Sequence, residues 1–132
     1  QFLFEGVDLA VRELSSRGVE IKAVLLSYWD FVDDGTIEKL YPEGFTGWDL
    51  EHGGVLETSL MLLLHPEMVH MDRVIDAPPA VLPNYDILPI RAELTPASGC
   101  LSSAANATRE KGETLLEVAS AGMIRVIEDE FC

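Results

Sequence analysis

The chain has 132 residues, of which 48% are hydrophobic, and this length and composition suit one compact soluble domain with a sizeable core. Nine basic residues stand against 23 acidic ones, giving a formal net charge of −14, which argues against nucleic acid or an anionic membrane surface as a partner. Two cysteines are too few for a disulfide scaffold, and no apolar run approaches the roughly 20 residues of a membrane span, so we expect a cytoplasmic protein without a membrane segment.

The beginning of the chain predicts a helix followed by a buried strand. Apolar residues recur at helical spacing from Phe2 to Leu14, and Gly18 supplies a stop signal. Residues 19–27 then form a short, nearly continuous apolar run, which is typical of a strand covered on both faces. A helix followed by such a strand predicts an α/β layered fold with parallel strand pairing.

The middle of the chain predicts a long loop and a second helix. Residues 28–54 lose periodicity and are rich in aromatic residues and glycine, which indicates a functional loop with a helical turn at 36–41. The second helix is predicted from Val55 to Leu64, where Pro66 stops it.

The last third of the chain predicts a wrapping loop and a long helix. Five prolines between Ala77 and Gly99 exclude a regular helix and allow only short edge strands, such as one at 85–89. A broad apolar stripe predicts a packed helix from about Asn106 to Phe131, with Asn106 or Thr108 as its N-cap.

The densest group of chemically capable side chains lies just before the second helix. Three carboxylates and one imidazole fall within nine residues, next to two glycines that allow a tight turn beside a ligand. His52 is a candidate general acid or base, with Glu51 or Asp49 to orient or polarise it. The alternative is that His52 lies at a helix N-terminus for geometric reasons, with Glu51 and Glu57 on a solvated face. No His-Glu-x-x-His or Cys-x-x-Cys pattern occurs, so we expect any metal ligands to come from elsewhere.

The two tryptophans are candidates for the walls of a binding pocket. Trp29 follows the predicted strand directly, and ligands usually bind at the C-terminal ends of parallel strands. Together with Trp48 it would sandwich a flat, partly cationic ligand, with stacking and cation–π contacts worth about 1 kcal/mol each. The alternative is that both indoles serve only as core or loop anchors.

Several segments along the chain carry a family resemblance. They are residues 26–32, 40–45 with 47–49, 51–54 with 57–62, and 101–103 with 109–113. Together these segments resemble the creatininase (creatinine amidohydrolase) family over essentially the whole chain. The Glu-His-Gly-Gly segment at 51–54 with its downstream Glu-Thr-Ser is similar to the wider family, whereas the surroundings of Trp29 and Trp48 resemble creatininases proper.

The resemblance implies a partial three-layer α/β/α fold with a mainly parallel sheet, in which residues 1–132 form the C-terminal part of a single domain. It implies that the full-length protein hydrolyses creatinine to creatine as a homo-hexamer with two divalent metals, typically Zn2+ and Mn2+, which supply an activated water and polarise the carbonyl. The family's metal-binding motifs are missing from this chain. We therefore expect the metal ligands to precede Gln1, the chain to begin partway through its domain, and the isolated fragment to be inactive.

The resemblance also implies roles for individual residues. His52 contacts the substrate and acts as the proton shuttle, and Glu51 supports His52. The remaining residues on the substrate side, by motif position, are Trp29, Trp48, Asp49 and Glu57.

Two alternatives to creatinine hydrolysis stay open at this point. The first is an enzyme of the same family that acts on another small amide, because the motifs at 51–59 alone do not fix the substrate. The second is a non-catalytic binding or assembly module, kept for its hexamer-forming surfaces.

Overall fold

The computed structural model describes residues 2–132. Gln1, the residue at which we expected the chain to begin partway through its domain, lies outside the described residues. Among the helices of these residues, none is both long enough and apolar enough to cross a bilayer. The α-helices are α1 (Phe2–Ser16), α2 (Asp34–Leu40), α3 (Val55–Leu64) and α4 (Arg109–Phe131). Short 3₁₀ turns span Tyr28–Phe31, Trp48–Leu50, Pro66–Met68, Met71–Arg73 and Ala92–Leu94.

The predicted α/β/α fold with a mainly parallel sheet is wrong for residues 2–132, because they contain no β-strand. A strand needs a second segment to exchange backbone hydrogen bonds with, and no described segment pairs in this way with residues 19–27. The apolar side chains of this run also remain partly open, with Val19 45% and Leu25 37% exposed. The edge strand suggested at 85–89 is likewise absent from the structure.

The helix predictions are confirmed. α1 ends at Ser16, followed by Gly18 at φ 77°, the left-handed conformation that glycine adopts readily after a helix. α3 runs over the predicted range. The helical turn predicted in the long loop is α2, whose N-cap Asp33 accepts a hydrogen bond from the backbone N–H of Thr36 at 2.7 Å. This bond lowers the pKa of the Asp33 carboxyl.

The core lies where α3 packs against α4. Leu40, Leu56 and Leu115 form its buried cluster, with relative exposures of 2%, 0% and 0%. The two helices approach so closely that a Cβ added to Gly112 of α4 would lie 2.2 Å from the carbonyl oxygen of Ser59 in α3. This contact fixes α3 relative to α4, and the loop that carries Asp49, Glu51 and His52 leads directly into α3.

Thr108 caps α4 and ties its N-terminus to α3. Its Oγ1 accepts a hydrogen bond from the N–H of Lys111 at 3.2 Å, and its own N–H donates to Ser59 Oγ at 3.1 Å. Thr108, rather than Asn106, is therefore the N-cap. Thr108→Ala should lower the free energy of unfolding by about 1 kcal/mol. Thr108→Ser should lower it much less, because the capping hydroxyl remains. Urea unfolding measures both variants, and equal losses would contradict the capping role.

The segment after α1 is anchored to the far end of α4. Lys22 Nζ lies 2.5 Å from Glu130 Oε2 and donates to the Glu130 carbonyl oxygen at 2.6 Å. The same ammonium group lies 5.6 Å from the centroid of the Phe131 ring. Since this ion pair is about half exposed, it adds little stability, and its effect is to set the path of the chain that leads into Tyr28.

Candidate active site

The residues singled out from the sequence line one cavity of about 310 Å³. The cavity is bounded by the 3₁₀ turns at Tyr28–Phe31 and Trp48–Leu50 and by the first turn of α3. Tyr28 is an additional lining residue that the sequence analysis did not single out, although it adjoins Trp29. The complete lining consists of Tyr28, Trp29, Trp48, Asp49, Glu51, His52 and Glu57.

Both indoles are held by aromatic neighbours and remain accessible. The Trp29 and Tyr28 ring centroids lie 5.0 Å apart at an interplanar angle of 71°, and those of Trp48 and Phe45 lie 5.1 Å apart at 74°. Edge contacts of this kind fix ring orientation. Trp29 is 46% and Trp48 42% exposed, more than a core anchor requires. Their exposure argues against two core anchors and leaves both indoles accessible from the cavity.

Two carboxylates fix the turn that carries the imidazole. Gly54 is the N-cap of α3 and has no side chain with which to satisfy the free N–H groups of the first turn. Glu51 takes that role, since its Oε1 accepts a hydrogen bond from the N–H of Leu56 at 2.6 Å. Glu57 reaches back from the helix, and its Oε2 accepts from the N–H of Gly53 at 2.6 Å. The turn is thus closed from both sides by charge-assisted hydrogen bonds.

His52 has a fixed backbone and an accessible ring. Its N–H donates to the carbonyl oxygen of Leu50, and its own carbonyl accepts from the N–H of Leu101, both at 2.9 Å. The side chain is 69% exposed, and Nδ1 lies 4.0 Å from Glu57 Oε2. We expected Glu51 or Asp49 to orient or polarise His52, and the structure also places the Glu57 carboxylate within 4.0 Å of the ring. A separation of 4.0 Å is too long for a hydrogen bond, so Glu57 does not hold the ring through one.

Two tyrosines face the carboxylates of the site. The Tyr41 hydroxyl donates to Glu51 Oε2 at 2.5 Å, and burial together with this bond raises the pKa of Tyr41. Burial and the negative charges of Glu57 and Glu51 raise the pKa of Tyr28. Both phenols therefore stay protonated at neutral pH, and the Tyr41 hydroxyl is a hydrogen-bond donor to Glu51. No sequence motif links Tyr41 to Glu51, and this pair was missed from the sequence.

The described residues do not fit a metal centre. Within residues 2–132, no group of three or more His, Cys, Asp and Glu side chains is arranged to hold an ion. The two oxygens of the Glu51 carboxylate already accept hydrogen bonds from Tyr41 and from the N–H of Leu56. The Zn2+ and Mn2+ that the resemblance implies are therefore not matched by a ligand set in this part of the chain.

Larger cavities lie elsewhere on the chain. One of about 550 Å³ lies between residues 41–46 and the start of α4, and one of about 870 Å³ lies between residues 46–50 and 80–86. Neither of them is lined by a histidine or a tryptophan. The smaller cavity is the better candidate because two indoles, an imidazole and three carboxylates converge on it.

Comparison with known sequences agrees with the resemblance. The model of the family described as "Creatininase: Creatinine amidohydrolase" matches residues 5–127. A creatinine amidohydrolase from Pseudomonas putida is 58% identical over an alignment that covers 98% of this chain and 51% of that protein. The chain thus spans about half the length of this curated relative.

Solved creatininase structures share the conformation of the chain. One named creatininase Mn has a TM-score of 0.92 at 57% identity, covering 98% of this chain and 51% of that chain. A mutant creatininase complexed with creatine has a TM-score of 0.92 at 57% identity, with coverages of 98% and 52%. A mutant creatininase of Zn-Zn type has a TM-score of 0.93 at 57% identity, with coverages of 98% and 51%. The chain, matched by the family model over most of its length, belongs to the creatininase family.

Proposed function

We propose that this chain is the substrate-side, C-terminal part of a single-domain creatinine amidohydrolase, which opens the lactam ring of creatinine with water to give creatine. The observation that carries the proposal is the cavity in which Trp29, Trp48 and His52 meet. The 58% identity to a creatinine amidohydrolase and the similarity to a creatininase complexed with creatine support the choice of substrate.

The walls of the cavity suit a small flat ring. Trp29 and Trp48 would enclose creatinine through stacking, and their exposed surface is available for that contact. Asp49 lies beside Trp48 in the same lining, where its carboxylate would accept hydrogen bonds from the N–H groups of the ligand. These three side chains bind and orient the substrate in our proposal.

His52 moves a proton in the proposed reaction. When the ring C–N bond breaks, the departing nitrogen must receive a proton, and imidazole is suited to deliver it near neutral pH. The ring of His52 is accessible from the cavity, and its Nδ1 lies 4.0 Å from Glu57 Oε2. Glu51 contributes by holding the turn on which His52 lies, through its hydrogen bond to Leu56.

Metals and assembly form the remaining part of the proposal. The names of two solved relatives contain Mn and Zn-Zn, whereas residues 2–132 supply no ligand set, so we assign the metal ligands to residues outside this chain. No step above therefore passes through a metal. Homo-hexamer formation and a cytoplasmic location are proposed from the family resemblance and the low cysteine content.

Creatine formation tests the proposed function. The 132-residue chain and a form extended upstream to the full reading frame are supplied with Zn2+ and Mn2+, then incubated with creatinine or with a second small cyclic amide. We expect creatine from the extended form alone. Creatine from the short chain would overturn the assignment of the metal ligands to residues outside it. If the extended form hydrolysed the second amide but did not hydrolyse creatinine, the result would favour another amidase of the same family.

A further inference from the structure

Tyr41 lies outside the candidate cavity and holds a carboxylate that lines it. It follows the last residue of α2, half-buried, and its hydroxyl donates to Glu51 Oε2 at 2.5 Å. The other oxygen of Glu51 accepts from the N–H of Leu56 at 2.6 Å. The carboxylate also packs on the backbone, since a Cβ added at Gly54 would lie 2.6 Å from Oε2. Glu51 is therefore held at both oxygens and in one position.

This position matters because Glu51 replaces the missing cap of α3. The N-cap Gly54 makes no side-chain hydrogen bond, so the start of the helix depends on a carboxylate from three residues upstream. His52 is the next residue in the chain, and its backbone therefore follows wherever Glu51 is held. Burial raises the pKa of Tyr41, which keeps the hydroxyl available as a donor throughout the neutral range.

The ring of Tyr41 belongs to a row of aromatic contacts that ends at Trp48, which lines the cavity. Its centroid lies 4.8 Å from that of Phe45, and Phe45 in turn lies 5.1 Å from Trp48. Lys111 Nζ of α4 is 5.8 Å from the Tyr41 ring centroid, which ties this row of rings to the core helix pair. Tyr41 thus contacts Glu51, which lines the cavity, and Phe45, which packs against the lining residue Trp48.

We infer that Tyr41 is a positioning residue of the active site, holding the His52 turn through Glu51 and the Trp48 wall through Phe45. This inference rests on the proposed function for its kinetic consequences, and on the hydrogen bonds and ring contacts above for its structural ones. The two contacts use different parts of the side chain. The hydroxyl acts on the proton-transfer side, and the ring acts on the binding side.

Two substitutions separate these contacts. Tyr41→Phe removes the hydroxyl and keeps the ring, so in the extended, metal-loaded protein kcat should fall about 10-fold to 100-fold with KM unchanged. Phe45→Leu breaks the row of rings, so KM should rise about 2-fold to 10-fold with kcat unchanged. Tyr85→Phe is the matched control, because that hydroxyl belongs to a residue that is 64% exposed and outside the cavity lining, and it should change neither constant.

The opposite pattern would overturn the inference. A Tyr41→Phe protein with the kcat of the wild type, or one in which kcat and KM change as they do in Phe45→Leu, would leave the hydroxyl without a positioning role. A loss of thermal stability with both kinetic constants unchanged would overturn it as well.

A measurement without turnover keeps this test separate from that of the proposed function. In proton NMR spectra of the chain, the Leu56 amide resonance should move upfield in Tyr41→Phe, because Glu51 loses the bond that orients its carboxylate, and should not move in Tyr85→Phe. If the extended protein forms no creatine, the proposed function fails, and the Leu56 resonance still decides whether Tyr41 positions Glu51. An unmoved resonance would overturn the inference.

Discussion

Replacing His52 by alanine should lower kcat for creatinine hydrolysis by the extended protein about 100-fold to 10,000-fold, the range of one general acid–base residue. The imidazole is 69% exposed and lines the cavity, so its loss removes a proton donor and little packing. The backbone of residue 52 keeps its hydrogen bonds to Leu50 and Leu101 whatever the side chain. KM should change much less than kcat, because Trp29 and Trp48 remain. Steady-state kinetics with equal metal content in each protein measures both constants.

The matched control for His52 is another exposed histidine of the same chain. His65 follows the C-terminus of α3, is 59% exposed and does not line the cavity, so His65→Ala should leave kcat unchanged. If His52→Ala retained wild-type kcat, proton transfer would have to be assigned to another group. If both histidine variants lost activity together, the cause would be a loss of structure rather than of a proton donor.

The lining of the candidate cavity was largely predictable because most of its residues are close in sequence. Asp49, Glu51, His52 and Glu57 fall within nine positions, and a turn followed by a helix brings them together without help from distant segments. Trp29 was proposed as a pocket wall because it follows a predicted strand, which the described residues lack, and was linked to these residues through the family resemblance. The pairing of Tyr41 with Glu51 was not predictable, because it depends on how a loop without periodicity folds back over ten residues.

The helices were predictable and the sheet was not, because helix signals are local and a strand depends on a distant partner segment. α3 and α4 have local signals, such as Pro66 after one and the Thr108 cap before the other, and the structure agrees with both. The apolar run at 19–27 indicates a preference for burial but does not identify the segment that would pair with it as a strand. Within residues 2–132 no such segment is present, and Ile21 stays 43% exposed.

Gly112→Ala should lower the free energy of unfolding of the chain by about 2–3 kcal/mol, although alanine is the better helix former. The added Cβ would lie 2.2 Å from the carbonyl oxygen of Ser59 and 2.8 Å from its carbonyl carbon. These are backbone atoms of α3, which cannot rotate away as a side chain can. α3 and α4 must therefore separate, which loosens the contact of Leu56 with Leu115 and the hydrogen bond from Thr108 to Ser59.

The matched control is Gly6→Ala in α1, where an added Cβ meets no atom within 4 Å. There the propensity difference of about 1 kcal/mol acts without opposition, so helicity should rise and the unfolding midpoint should not fall. Urea unfolding followed by circular dichroism gives both values under one set of conditions. If Gly112→Ala were as stable as Gly6→Ala, the close approach of α3 and α4 at this point would be wrong. The contact between α3 and α4 could then no longer explain how the turn that carries His52 is held in place.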